Sequence, residues 1–155
     1  MIEGLYIGGR PQVSGLLVFP TLSGLIEIPI TFVVDTGADR SLIAPNEYED
    51  YFSYQDSVKY PLSDSSGFGA SIFAHLVPCR LSLRHTGGAY SFHPLIVELL
   101  KPQQPRPMAP LPSVLGRDIL DQFRFLCDRT TGTVALDEVA NSSSLTGWPD
   151  EDTTT

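Results

Sequence analysis

Cysteine is scarce. Two residues, Cys79 and Cys127, stand in a chain of 155, too few for a disulfide scaffold and with no Cys-x-x-Cys pairing. The three histidines, His75, His85 and His93, show no metal-ligand spacing. Positive charge is also scarce. Ten Lys and Arg against 18 Asp and Glu leave a net charge of −8, which argues against a nucleic-acid-binding surface. No apolar run approaches the roughly 18 residues that would cross a bilayer. The opening MIEGLYIGGRPQ lacks a basic segment followed by an apolar one. These absences predict a soluble cytoplasmic protein with two free, buried thiols, no metal, no cofactor, and neither nucleic acid nor membrane as partner.

The composition is otherwise that of a folded domain: 42% apolar, 18% charged, with 13 Gly and 13 Pro dispersed along the chain. Gly and Pro between β-branched and aromatic runs favour many short strands joined by turns. Strands are expected over 15–20, 24–35, 71–83 and 90–99, with a helix over 45–52 opened by Pro45. The stretch 102–112 holds five prolines and cannot be a central strand, so it reads as a stiff surface loop. Residues 113–123 read as strand, turn and short amphipathic helix, and 123–138 as a hairpin. One domain over 1–140 is followed by a polar, acidic tail, 141–155, expected to be disordered.

The chemistry concentrates in Ile30 to Pro45, ITFVVDTGADRSLIAP. An apolar strand runs straight into Asp35-Thr36-Gly37. This puts a carboxylate at a strand end in a tight turn, where Gly37 lets the backbone approach and its N–H serve an oxyanion. About eighty residues on comes Val114-Leu115-Gly116-Arg117-Asp118. The two blocks, VVDTGADRSLI and VLGRDILDQF, resemble the retropepsin-like aspartic proteases, the single-domain type of retroviruses and of related cellular and bacterial proteins.

The resemblance implies an all-β fold: a closed, mostly antiparallel, barrel-like acid-protease architecture with one short C-terminal helix. It implies Asp35 as catalytic aspartate, Thr36 bracing the turn across a dimer axis, and Gly37 contacting the substrate backbone. Ala38 and Asp39 would line the cleft. Arg117 and Asp118 would open the helix, Arg117 holding Asp39 and the active-site loop from beneath, and Arg10 would reach Asp39 of a second subunit. A flap over the cleft is expected at 62–73, with Gly67, Phe68 and Gly69 touching a ligand.

The reaction needs two carboxylates sharing one proton. The chain has one Asp-Thr-Gly; Asp64-Ser65-Ser66-Gly67 carries an extra residue and no preceding apolar strand. A homodimer with Asp35 and its symmetry mate at the axis is therefore expected, hydrolysing a peptide or protein substrate. The strand 133–138 is the candidate for an inter-subunit sheet. Ala38 offers the carboxylates no hydroxyl, which favours activity in mild rather than only strong acid. The alternatives are a catalytically weak or inactive peptide-binding and dimerisation module of the same fold, and an unrelated β-barrel in which Asp-Thr-Gly is only a turn.

Overall fold

The computed structural model describes residues 1–65, 72–103 and 109–138. Eleven strands run in the order β1 (Ile2–Glu3), β2 (Leu5–Ile7), β3 (Arg10–Thr21), β4 (Gly24–Val34), β5 (Leu42–Ile43), β6 (Leu62–Ser65), β7 (Ile72–Arg84), β8 (Tyr90–Leu100), β9 (Ser113–Leu115), β10 (Phe123–Asp128) and β11 (Thr133–Glu138). Two single-turn helices, α1 (Pro45–Tyr48) and α2 (Arg117–Leu120), and a 3₁₀ turn at Tyr54–Ser57 complete the described residues. The protein is all-β with little helix.

Eight strands pair in the order β2-β3-β4-β9-β5-β8-β7-β6. The further pairing of β3 with β7, Leu17 opposite Leu81, brings the order back on itself and closes a ring from β3 to β7. Most ladders are antiparallel; β4–β9 and β5–β8 are parallel. Strand β4 shows why the ring has an inside. Ile28, Ile30, Phe32 and Val34 are buried while Glu27, Pro29 and Thr31 between them are exposed, the period-two alternation of a half-buried strand. Leu17, Phe19, Leu81, Leu83, Val97 and Leu99 meet them in one core.

The helix expected over 45–52 is cut to one turn. Tyr48 is fully buried and donates its hydroxyl to the carbonyl of Leu100 at 2.6 Å. Its ring stacks on Phe52, which stacks on Phe19, with centroids 4.8 and 4.4 Å apart. This aromatic stack sets the path of the chain, and the extended Ser53 then opens the 3₁₀ turn. The helix after Gly116 is likewise shorter than its amphipathic pattern, because Phe123 already belongs to β10.

Three expectations are corrected. Strand β11 is not an open edge: it is the middle of a second sheet, β1-β11-β10, with both sides paired. The edges of this sheet are β1 and β10, each paired on one side only among the described residues. Cys127, on the edge strand β10, is exposed rather than buried. Cys79 is partly buried, and desolvation pushes its thiol up to about 12, so it stays protonated. The tail 141–155, the flap tip 67–69 and part of the proline-rich loop lie outside the described residues. Among those described, no helix is long and apolar enough to cross a membrane.

His75 and His93 are buried strand residues. His75 Nδ1 lies 2.5 Å from the Tyr54 hydroxyl, and its pKa is held below the ordinary 6.5, first by desolvation and then by the charge of Lys101. The unfolded chain binds this proton more readily. Stability from a neutral His75 is therefore present above the ordinary value and declines as pH falls below it. A thermal unfolding series from about pH 7.5 down to 5.5 should show a drop in Tm that is smaller in His75→Gln. Equal drops in both proteins would remove His75 from the account.

Candidate active site

The two sequence blocks come together through β9. It lies parallel to β4, with Val33 opposite Val114 and Val34 opposite Leu115, and antiparallel to β5, with Leu42 opposite Val114. The loop 35–41 must therefore arch over β9 to pass from one flank to the other. The Asp35 N–H closes its base by donating to the carbonyl of Leu115 at 3.1 Å.

Within the arch, Gly37 N–H donates to Asp35 Oδ1 at 2.9 Å and Ala38 N–H donates to the Asp35 carbonyl at 3.2 Å. The carboxylate is thus fixed by its own turn. A Cβ at position 37 would stand 3.2 Å from Asp35 Oδ1, crowding that contact. Asp35, Thr36, Gly37 and Asp39 are all exposed. The Thr36 side chain has no hydrogen-bond partner among the described residues. Ala38 is only partly exposed and packs against the small cluster of Leu42, Ala74, Leu100 and Val114.

The chain after β9 passes beneath the arch. Arg117 N–H donates to the carbonyl of Ala38 at 2.7 Å, and Asp118 N–H to that of Asp39 at 3.2 Å. Arg117 forms an ion pair with Asp39, as the resemblance implies. The pair is open to solvent, however, with 50% and 83% of the two side chains exposed. It is a surface pair, of a kind that contributes little to stability. Arg10 opens β3. It faces Ile7 of β2, and the β3–β4 ladder begins two residues later, at Gln12 opposite Val33. Arg10 is exposed and has no acidic partner among the described residues.

The residue that sequence reasoning missed is Ser41. It is fully buried. Its hydroxyl donates to Asp118 Oδ1 at 2.7 Å and accepts the Gly116 N–H at 2.9 Å, while its own N–H donates to Asp118 Oδ2 at 2.9 Å. Asp118 Oδ1 also accepts Ile119 N–H at 3.0 Å. One serine and one carboxylate thus bolt the arch to α2. A serine at the end of Asp-Arg-Ser carries no sequence signal that would single it out. Ser41→Ala leaves the buried Gly116 N–H without its partner and takes one of two donors from Asp118 Oδ1. A loss of about 2 kcal/mol is expected, read as a lower denaturation midpoint; an unchanged midpoint would refute the bolt.

Among the described residues, no three His, Cys, Asp or Glu side chains stand together as a metal site would require. No family model matches the chain, and no curated protein matches it. Among solved structures, an EIAV protease complexed with the inhibitor HBY-793 is similar at 19% identity and a TM-score of 0.41, over 74% of this chain and 88% of that one.

Proposed function

We propose that this chain is one half of a retropepsin-like aspartic endopeptidase, completed by a second copy. The observation that supports this best is the arch itself. A single exposed carboxylate ends a buried strand, is fixed by the Gly37 N–H, and rests on the strand and turn supplied by the second sequence block.

A lone carboxylate cannot act at once as general base and general acid. With two copies of Asp35 at a twofold axis, the pair shares one proton, since like charges a few ångströms apart cannot both ionise cheaply. The ionised partner takes a proton from a water molecule, which attacks the scissile carbonyl carbon. The protonated partner donates to the carbonyl oxygen. Collapse of the tetrahedral intermediate breaks the C–N bond and passes a proton to the leaving amine. Thr36, without a side-chain partner among the described residues, is the group that would brace the turn across the axis, and Arg10 the one that would reach the second copy's Asp39. Gly67, Phe68 and Gly69 would contact an extended peptide, along with Ala38 and Asp39.

The free edge of β10 is the strand such a dimer could extend, because an unpaired row of N–H and C=O groups invites pairing. Sedimentation equilibrium should give a dimer, and a charge placed in that edge, Leu126→Lys, should shift it towards monomer. A wild-type monomer at every accessible concentration would sink the reading.

A further inference from the structure

The outer face of the β7–β8 ladder is aromatic and basic in a protein that is otherwise acidic. Tyr90, Phe92 and Ile96 alternate along β8 and are 49%, 58% and 46% exposed. Arg84 faces Tyr90 across the ladder, and the Arg80 guanidinium lies 5.0 Å from the centre of the Phe92 ring. Neither arginine has an acidic partner among the described residues. Glu27, on the same row through Val18, stands two strands away from Arg80. An exposed apolar patch set with unpaired cations marks an interaction surface for an acidic, aromatic partner.

The chain carries such a partner. Residues 148–152 read Trp148-Pro149-Asp150-Glu151-Asp152, with the protein's one tryptophan. The described chain ends at Glu138, whose carboxylate lies 3.5 Å from His85 Nε2, and His85 directly follows Arg84 at the end of this ladder. The ten residues from Glu138 to Trp148 reach up to about 33 Å when extended. That suffices to round the sheet edge and to run along the face from Arg84 to Arg80, four residues or about 13 Å of strand.

We propose that the C-terminal segment docks on this face of its own chain. Trp148 packs against Tyr90 and Phe92, Asp150, Glu151 and Asp152 pair with Arg80 and Arg84, and 141–147 serve as the tether. The assignment is independent of the peptidase reading.

Because Trp148 is the single tryptophan, its fluorescence in the full-length chain reports docking directly. The native protein should emit at shorter wavelength than in denaturant and resist acrylamide quenching several-fold better. Both effects should vanish in about 1 M salt, where the screening length is about 3 Å. They should vanish too in Asp150→Asn/Glu151→Gln/Asp152→Asn, which leaves the folded domain untouched, and in Arg80→Glu/Arg84→Glu with an unchanged far-ultraviolet circular dichroism spectrum. Solvent-like emission in the native protein would overturn the proposal. So would protection that survives the arginine changes. Protection that appears only as protein concentration rises would overturn the intrachain form and assign the face to the tail of another copy.

Discussion

Asp35→Asn is expected to abolish peptide hydrolysis while leaving a folded dimer. Asn is nearly the same shape as Asp, and its Oδ1 can still accept the Gly37 N–H that holds the carboxylate at 2.9 Å. The arch and its support on β9 and α2 stay intact, so loss of activity cannot be ascribed to unfolding. In a homodimer one substitution removes the general base and the general acid together, since both are Asp35. Positioned proton transfer supplies about 10²–10⁴-fold each time it is used, so a loss of roughly 10⁴-fold or more is expected. A digest of a peptide library by wild type and variant side by side would show it, and would reveal side-chain preference as well. If both cut alike, another group does the chemistry. If neither cuts between about pH 3 and 8 although both are dimeric, the chain is a peptide-binding or dimerisation module instead.

Gly116→Ala should be a damaging small substitution at the junction beneath the Asp-Thr-Gly turn. A Cβ at this position would lie 2.8 Å from the carbonyl oxygen of Ala38 and 2.8 and 2.9 Å from the carbonyl carbon and oxygen of Arg40. These are backbone atoms of the arch and cannot swing aside as a side chain would. Relief requires moving loop 35–41 away from the β9–α2 junction. That movement weakens the hydrogen bonds from Arg117 and Asp118 to the loop and the Ser41–Asp118 bolt. Overpacking of this kind costs about 1–3 kcal/mol, with the upper end expected here because no side chain can yield. A displacement of about 1 Å at the reacting groups can cost a further 10²-fold in rate. Thermal unfolding and kcat measured on the same preparation would check both. Wild-type Tm with wild-type kcat would show that the junction has room the geometry does not suggest.

Ser41→Ala and Gly116→Ala act on one contact, since the Gly116 N–H donates to Ser41 Oγ. Their combined effect should fall short of the sum, as it does for residues sharing a network.

Much of the architecture was legible in the residues. Alternation along 24–34 marked the strand that delivers Asp35. Gly and Pro punctuation marked β7 and β8 to within a residue or two, and Gly116-Arg117-Asp118 marked the second block. Local pattern failed where distant partners decide. The turn 45–48 stops short because Tyr48 and Phe52 stack with Phe19, far away in the chain. Cys127 sits in an apolar-looking run, FRFLC, yet is exposed because β10 is the rim of its sheet.

By itself the sequence determined that the protein is all-β, and that one carboxylate with a glycine two residues on stands at a strand end. Both are local matters of alternation and turn chemistry, written in neighbouring residues. Only the tertiary structure decided that Ser41 and Asp118 lock the arch, that the Arg117–Asp39 pair is open to solvent, and that β11 lies inside its sheet while β10 is left at the edge. Those facts depend on which strands lie side by side. That is set by the burial of side chains from distant parts of the chain, not by any one stretch of it.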